Sequence, residues 1–377
     1  MSSDHLHIIS FDVPFPADYG GVIDVFYKLK ALHSLGLKIT LHCFEYGRAG
    51  QKELDKYAQH VYYYPRKNSR SLLFTSLPYI VLTRNSDLLK ERLLKDNSPI
   101  LMEGLHSTFL LNDPDFRERK IFVRTHNVEH DYYSNLAKVE KNIFKRYYFY
   151  NESGKLLKYE NVLKKAAGVC AISPSDTEHF KKVTKKVIYL PAFHPFENVN
   201  IIESKEDYFL YHGNLSVGEN NEAALFLIDQ VFNDIPQKLI IAGSKPSAEL
   251  QKAASEKPNV ELIQNCSPEK IYDLIMHAKC NVLPTFQSTG IKLKLLAALF
   301  LGKYCLANTP MVINTGLESL CEIADTAFEM KAKIKVIDGK GEFPAEKLFQ
   351  RTKILDAGFS NRAGAQKLAE LIVGQKG

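Results

Sequence analysis

The sequence contains no long hydrophobic run and no basic leader. Its longest apolar stretches, near Ser76–Thr83 and Leu293–Leu301, fall well short of the ~18 residues that a membrane-spanning helix needs. The start, Met1–Leu6, has neither the positive charge nor the apolar region of a secretory signal. We therefore predict a cytoplasmic protein that is able to associate peripherally with the inner face of a membrane.

Several sequence patterns of cofactor and metal sites are also absent. None of the six Cys forms a C-x-x-C pair, and no pair of His accompanies them at zinc spacing. Most of them stand in apolar runs, as small buried residues do in a reducing compartment. The chain has no G-x-G-x-x-G segment, which argues against a nicotinamide cofactor, and no D-x-D segment in a suitable loop for a metal.

The composition is that of an ordinary globular protein of about two domains. The chain has 377 residues, of which 45% are hydrophobic and 24% are charged. Lys and Arg number 49 against 43 Asp and Glu, which gives a net charge of +6. So small an excess does not require a nucleic-acid partner, and we expect none.

Strand and helix patterns alternate along the chain. Leu6–Phe11 is strand-like, a helical pattern runs from Val22 to Leu35, and Lys38–Phe44 returns to strand character. Such a βαβ unit predicts a parallel sheet. After the polar segment Glu197–Asp207 the alternation repeats.

We therefore predict an α/β fold of two doubly wound Rossmann-like domains that face a central cleft. The predicted domains are a first Rossmann-like domain over 1–196 and a second over 197–355. A C-terminal helix within 356–377 can pack back on the first domain. In open parallel sheets ligands bind beyond the carboxyl ends of the strands, so residues that follow strands are the candidates for a site.

Two glycine positions follow predicted strands. Gly20 and Gly21 open the first helix, where glycine lets a ligand approach the backbone and the helix N-terminus attracts phosphate. Gly213 and Asn214 follow the first strand of the second domain, where backbone amides can reach a diphosphate. The alternatives are a turn that needs a positive φ at Gly20-Gly21 and a tight turn at Gly213.

His126 follows the predicted strand Lys120–Arg124. The adjacent Asn127 can cap a helix, and Glu129 suits its first turn, but this interpretation leaves His126 without a structural role. A histidine there can hydrogen-bond a sugar hydroxyl or polarise a reacting group. A lone histidine at a strand end is more often structural, and this alternative stays open.

The segment from Gln287 to Lys294 is the most informative one. Ser288 or Thr289 can cap the helix that begins there, yet Lys292 and Lys294 stand near its positive N-terminal end. A bound phosphate would remove that cost and accept charge-assisted hydrogen bonds. We predict an anion site with Lys294 as the principal ligand, whereas Lys292 can also point to solvent.

One more acid and one basic segment complete the candidates. Glu318 can accept hydrogen bonds from sugar or ribose hydroxyls, or it simply begins a helix in solvent. The segment Lys138–Lys186 carries twelve Lys or Arg against five acids, interleaved with Phe and Tyr. This segment is either a solvated helix face or a surface for anionic lipid headgroups.

Together these residues resemble the GT-B glycosyltransferases, specifically the retaining family 4. The loop Pro14–Gly21 resembles that family's acceptor and donor-phosphate loop, and Arg124–Glu129 is similar to the R-x-H-N-x-E stretch of some members. Tyr211–Leu215 takes the place of the family's G-R-L turn. Ser288–Leu296 resembles the start of the donor helix, G-x-G-x-[KR]-x-K-x-[LI], whose Lys helps to hold the diphosphate.

The resemblance implies transfer of a sugar from a nucleotide-sugar donor to a glycan or lipid-linked acceptor, with retention of configuration. It implies a metal-independent hexosyltransferase with no cofactor besides the donor, because Lys and helix dipoles replace the metal at the diphosphate. On this basis His126 and Gly21 are the expected catalytic residues. The expected donor-binding residues are Gly20, Gly213, Asn214, Ser288, Thr289, Gly290, Lys292, Lys294 and Glu318.

The sequence departs from the family pattern at three positions. Ala297 stands where the donor helix has a Glu for the ribose, Asn214 replaces the Arg of the G-R-L turn, and Gln287 replaces the first acid of the E-x7-E pair. Loss of the charge-assisted ribose contact alone costs about 1.5–3 kcal/mol. The alternative is therefore a catalytically weak or inactive GT-B-like protein that binds sugar or nucleotide, or acts as a scaffold.

Overall fold

The computed structural model describes residues 4–140, 142–202, 206–286 and 292–374, which form two compact units. The first unit extends to Pro195 and also includes the C-terminal helix, which begins at Asn361. The second unit consists of the described residues from Phe196 to Phe286 and from Lys292 to Ser360. Among the described residues, no helix combines the length and the hydropathy that crossing a bilayer requires.

The first unit is built on a seven-stranded parallel sheet. Its strands are β1 (His5–Ser10), β2 (Lys38–Glu45), β3 (His60–Pro65), β4 (Ile100–Glu103), β5 (Ile121–Arg124), β6 (Gly168–Ala171) and β7 (Val187–Tyr189). They lie in the order β3-β2-β1-β4-β5-β6-β7, and all pairs are parallel. The order reverses direction between β1 and β4, which is the place where doubly wound sheets bind ligands.

Helices cover this first sheet. They are α1 (Gly20–Ser34), α2 (Tyr79–Leu82), α3 (Asp87–Leu93), α4 (Glu129–Val139), α5 (Ile143–Tyr159), α6 (Pro174–Lys181) and, from the C-terminus, α14 (Asn361–Val373). Helix α14 buries Ala365, Leu368 and Ile372 in the same apolar cluster as Leu29 and Leu32 of α1. The C-terminal helix therefore completes the core of the first unit.

The second unit contains a six-stranded parallel sheet. Its strands are β8 (Phe209–Asn214), β9 (Leu239–Ser244), β10 (Val260–Gln264), β11 (Cys280–Leu283), β12 (Tyr304–Ala307) and β13 (Glu322–Ile323). They lie in the order β10-β9-β8-β11-β12-β13, so the direction reverses between β8 and β11. The helices are α7 (Gly218–Phe226), α8 (Ala248–Ser255), α9 (Pro268–His277), α10 (Leu293–Leu301), α11 (Thr309–Val312), α12 (Ala327–Asp338) and α13 (Ala345–Gly358).

Strand β8 is longer than predicted. Gly213 and Asn214 are its last two residues rather than a loop after it, and they pair with Gly243 and Ser244 of β9. The pairing continues because Gly243 has no side chain: a Cβ there would collide with the carbonyl oxygen of Gly213. The interpretation of Gly213 as a tight-turn residue is therefore wrong.

Two predicted helix caps are also wrong. Helix α10 begins at Leu293, and Lys292 rather than Ser288 or Thr289 occupies its N-cap position. Helix α4 begins after Val128, so Asn127 is not its cap. In both cases a cap-forming residue type was present near the helix start, but the chain enters the helix slightly later.

Candidate functional site

The carboxyl end of β8 carries a group of residues that we call the Lys294 site: Tyr211, Gly213, Asn220 and Lys294. Lys294 is the second residue of α10, and its Nζ donates hydrogen bonds to Asn220 Oδ1 at 2.6 Å and to Tyr211 Oη at 3.4 Å. Its ammonium group also lies 5.0 Å from the centre of the Tyr211 ring. A Cβ on Gly213 would lie 3.3 Å from Lys294 Nζ. The structure thus brings together two of the residues that the sequence singles out.

The electrostatics of the Lys294 site favour an anion. Burial and the nearby charge of Lys292 lower the pKa of Lys294 to about 8, although the carboxylate of Glu219 opposes this shift. Burial and Lys294 together lower the pKa of His212 to about 3. His212 is then neutral at pH 7, so the positive charge near Lys294 comes from Lys294 and Lys292. An anion bound there would stabilise the ammonium form of Lys294.

Asn214 supports this site through its backbone. Its carbonyl accepts a hydrogen bond from Asn220 Nδ2 at 2.9 Å. Its side-chain Oδ1 accepts from the backbone N–H of Ser216 at 3.1 Å and from Ser216 Oγ at 2.7 Å. These contacts hold the turn between β8 and α7 together. The side chain that replaces an Arg in the resemblance therefore has a structural role here.

Of the other expected donor-binding residues, Lys292 lies close enough for its charge to lower the pKa of Lys294. Ser288, Thr289 and Gly290 lie outside the described residues, as does Gln287. Glu318 begins a short 3-10 helix between β12 and β13, and among the residues described we find no contact between it and Lys294. Ala297 is 4% exposed and packs in the apolar core with the other residues of α10.

In the first unit, Gly20 and Gly21 are the first residues of α1, at the carboxyl end of β1. A Cβ on Gly21 would lie 2.7 Å from Phe11 Cζ, so the glycine lets the Phe11 ring pack against the start of the helix. Neither glycine has a positive φ. The interpretation that a positive φ requires them is wrong; close approach of a neighbouring ring explains Gly21.

His126 belongs to a buried charge cluster that also contains Asp24, Lys28, Glu103 and Arg124. His126 Nε2 lies 3.0 Å from Glu103 Oε2. Lys28 Nζ donates to Glu103 Oε2 at 2.9 Å and to Asp24 Oδ2 at 2.8 Å. Arg124 donates to both oxygens of Asp24, at 2.8 and 3.1 Å. His126 therefore does have structural partners, and the interpretation that it has none is wrong.

The buried charge cluster balances two carboxylates with two cations. The side chains of Asp24, Lys28, Glu103 and Arg124 are all 0% exposed. Arg124 and Lys28 hold the pKa of Asp24 far below its usual range against the effect of burial. Although the ligand atoms of Asp24, Glu103 and His126 lie within 4.8 Å of one another, a metal ion there would face Lys28 and Arg124. The cluster is thus suited to orienting His126 and not to binding a cation.

Next to this cluster, the first unit has buried polar atoms with no hydrogen-bond partner among the described residues. They include Nδ1 of His126, Nδ1 of His106 and Oε1 of Glu129. His106 Nδ1 and Glu129 Oε1 are 3.7 Å apart, and the Phe11 ring lies 5.4 Å from the His106 ring and 5.3 Å from the His126 ring. Unpaired buried polar atoms are costly, so this group is suited to a ligand that carries hydroxyls.

The shifted pKa values of Glu129 and His106 determine which of them can donate and which can accept a hydrogen bond at neutral pH. Burial raises the pKa of Glu129 to about 8 against the effect of Arg84, so its carboxyl group can donate at neutral pH. Burial holds the pKa of His106 well below its usual value. His126 Nε2 faces Glu103 at 3.0 Å, which leaves Nδ1 for a contact with a ligand. Sequence reasoning missed His106 and assigned Glu129 only to a helix start.

Comparison with known proteins supports the fold. No family model matches the chain. It is 27% identical over 331 residues to an uncharacterized 44.6 kDa protein in the cps region of Klebsiella pneumoniae, covering 83% of each chain. A solved sucrose-phosphate synthase from Thermosynechococcus elongatus has a TM-score of 0.67 at 15% identity, over 97% of this chain and 98% of that one.

A second solved structure, HepE from Anabaena in complex with UDP and glucose, also has a TM-score of 0.67, at 12% identity and over 97% and 98% of the two chains. At such identities the likeness shows the fold. The chain has the GT-B fold. The two doubly wound α/β units that the sequence predicts are confirmed, whereas membership of family 4 stays a prediction.

Proposed function

We propose that this GT-B protein transfers a sugar from a nucleotide-sugar donor to a glycan or lipid-linked acceptor, with retention of configuration and without a metal. The observation that carries the proposal is the Lys294 ammonium group beside Gly213 at the carboxyl end of β8. A phosphate suits this position because Gly213 adds no side chain beside the ammonium group, and because Lys294 Nζ donates to the uncharged oxygens of Asn220 and Tyr211.

In the proposed reaction the Lys294 site holds the diphosphate of the donor. The bond between the sugar and the diphosphate breaks, and negative charge accumulates on the leaving phosphate oxygen. Lys294 stabilises that charge, with Lys292 at the N-cap of the same helix as a second cation. A diphosphate can take one of the three ammonium donors of Lys294 while Asn220 keeps another.

The first unit supplies the groups that would contact sugar hydroxyls. His126 offers Nδ1, and the buried charge cluster fixes the orientation of its ring through Glu103. Glu129 and His106 offer a donor and an acceptor for a further hydroxyl. We assign His126 to the transferred sugar and the Glu129–His106 pair to an acceptor hydroxyl.

The second candidate function is binding without efficient transfer. It is favoured by Ala297, which is buried in the apolar core where the resemblance expects a carboxylate for the ribose. Substituting Ala297→Glu would test this candidate. A large gain in donor affinity would support a weak binder, and turnover of any nucleotide sugar by the unmodified protein would exclude it.

The proposal is tested by calorimetric titration with UDP, GDP and ADP and with their sugars. We expect at least one of them to bind, and Lys294→Gln to weaken that binding by about tenfold or more. The matched control is Lys252→Gln, because Lys252 is an exposed lysine of α8 in the same unit. If no nucleotide binds at millimolar concentration, or if both variants behave alike, the proposal is wrong.

We also propose that the Lys138–Lys186 segment contacts an anionic membrane surface through α5. Phe144, Tyr147 and Tyr150 of this helix are 79%, 71% and 73% exposed, and Lys145 and Arg146 lie beside them in solvent. Phe74 is 90% exposed. It lies next to α5, because Lys155 of that helix donates a hydrogen bond to the carbonyl oxygen of the preceding residue, Leu73, at 2.8 Å. Exposed aromatic and basic residues on one helix are typical of interfacial membrane contact.

Co-sedimentation with vesicles of anionic and of zwitterionic lipid, at low and high salt, tests this surface. We expect binding to anionic vesicles that weakens with salt, and loss of it in the double variant Phe144→Ser, Tyr147→Ser. The control is Phe328→Ser, Phe349→Ser in the second unit, where the two rings are 82% and 71% exposed. Equal sedimentation of the two double variants would contradict the membrane proposal and favour the alternative, in which the segment is a solvated helix face.

A further inference from the structure

A separate cluster of metal-ligand side chains lies near the amino-terminal ends of β1 and β4 in the first sheet. It consists of His5 and His7 on one face of β1 and Asp96 in the connection between α3 and β4; we call it the His5 cluster. One ligand atom from each residue lies within 4.8 Å of the other two. His7 Nε2 is 3.0 Å and His5 Nδ1 is 3.8 Å from Asp96 Oδ2.

We propose that the His5 cluster binds a zinc ion, with His5 Nδ1, His7 Nε2 and Asp96 Oδ2 as ligands and water in the fourth position. Two imidazoles and one carboxylate are a ligand set that zinc accepts. Tetrahedral bonds of about 2.0–2.1 Å place ligand atoms about 3.4 Å apart. The distances of 3.0 and 3.8 Å lie on either side of that value. His5 Nδ1 also lies 3.0 Å from Ser98 Oγ, so a zinc ion would replace this hydrogen bond.

The strongest support comes from the partners of the non-ligating nitrogens. A histidine that binds a metal through one nitrogen donates its other N–H to an acceptor, which fixes the ring. His5 Nε2 lies 2.9 Å from Thr40 Oγ1, and His7 Nδ1 lies 3.0 Å from His42 Nε2. The ring of His42 is held in turn by Tyr64, with Nδ1 2.8 Å from Oη. Both proposed ligand histidines therefore already have the outer contact that metal binding requires.

The third ligand is oriented in a similar way. Arg119 and the backbone N–H of Ser98 donate to Asp96 Oδ1 at 2.9 and 2.7 Å, and both oxygens lie near His7 Nε2, Oδ1 at 3.2 Å and Oδ2 at 3.0 Å. Oδ2 is the oxygen that these two donors leave for a metal. Because Arg119 balances the charge of Asp96, the cluster offers little net attraction to Mg²⁺ or Ca²⁺, which depend on carboxylates. The Asp96 side chain is 38% exposed and that of His5 is 23% exposed, which gives an ion a path from solvent.

The proposal is tested on the full chain after removal of metals with a chelator. Titration with Zn²⁺ by calorimetry should show binding that a large excess of Mg²⁺ does not reduce. Co²⁺ in the same site should give the strong visible absorption of tetrahedral coordination. His5→Gln and Asp96→Asn should each weaken Zn²⁺ binding by about 100-fold or more, and Thr40→Val, which removes only the outer contact of His5, by about tenfold.

A control variant separates this site from the His130, Asp131 and His179 group, whose ligand atoms are similarly close. His130→Gln should leave the Zn²⁺ affinity of the His5 cluster unchanged. Because His5 is partly exposed, His5→Gln should fold, which circular dichroism checks. Absence of Zn²⁺ binding at millimolar concentration, or binding that His130→Gln removes and His5→Gln does not, would overturn the proposal.

Discussion

Donor binding at the Lys294 site should weaken as the pH rises through about 8. Lys294 must be charged to hold a diphosphate, and burial together with Lys292 lowers its pKa to about 8 in the free protein. Bound phosphate favours the ammonium form and raises the pKa again. The complex therefore takes up a proton, and affinity is present below the pKa of the free protein and lost above it.

The size of the effect follows from the fraction of charged Lys294. With a pKa of about 8, this lysine is about 90% charged near pH 7 and about 10% charged near pH 9. If only the charged form binds, the dissociation constant rises about tenfold over that range, which corresponds to about 1.4 kcal/mol. Near pH 8, binding should take up about half a proton per site.

Isothermal titration calorimetry measures both quantities. The ligand should be the sugar nucleotide rather than the free diphosphate, because its diphosphate keeps a constant charge over this range. Proton uptake is obtained by repeating the titration in two buffers with different ionisation enthalpies. Lys292→Gln should move the midpoint to higher pH, since it removes one cause of the lowered pKa, and Lys294→Gln should make the residual affinity independent of pH. A wild-type affinity that is constant between about pH 7 and 9 would refute this reasoning.

Three substitutions test other parts of the account. Gly213→Ala places a Cβ 3.3 Å from both Lys294 Nζ and Asn220 Cγ, so these side chains must shift and donor affinity should fall about tenfold in calorimetry; equal affinity would contradict this. Glu129→Gln should raise the melting temperature near pH 7 but not near pH 4. The reason is that the pKa of Glu129 is about 8 in the folded protein, so the wild-type protein loses stability as the pH rises from about 4.5 to 8, whereas Gln stays uncharged. A lower melting temperature of the variant at pH 7 would argue against a protonated Glu129. Asp24→Asn leaves Arg124 without its carboxylate and should cost about 3–5 kcal/mol in urea unfolding of the first unit; a loss below about 1 kcal/mol would show that the buried Arg124 does not depend on this carboxylate.

The fold could be predicted from the sequence because its signals are local. The apolar run Leu6–Phe11 and the helical pattern after Gly21 correspond to β1 and α1 with errors of a residue or two. Strand β8 ran longer than predicted because its last two residues depend on a neighbouring strand. The absence of a side chain at Gly243, 30 residues away, lets that pairing continue through Gly213 to Asn214.

The candidate site was predictable only where a residue contradicts its local setting. Lys294 stands near a helix N-terminus, where a cation is unfavourable, and the sequence alone shows this conflict. Asp24 and Lys28, by contrast, have the spacing of an ordinary surface ion pair on a helix. The structure buries both beneath Glu103 and Arg124, which lie 75 and 100 residues further along the chain. No local pattern shows which charged residues will meet in a core.

The most direct test of the account is an experimental structure with a bound sugar nucleotide, chosen as the one that binds best in calorimetry. The account predicts a diphosphate oxygen within hydrogen-bond distance of Lys294 Nζ and a phosphate close to the backbone of Gly213. A nucleotide bound elsewhere, with Lys294 still engaged only by Asn220 and Tyr211, would contradict it.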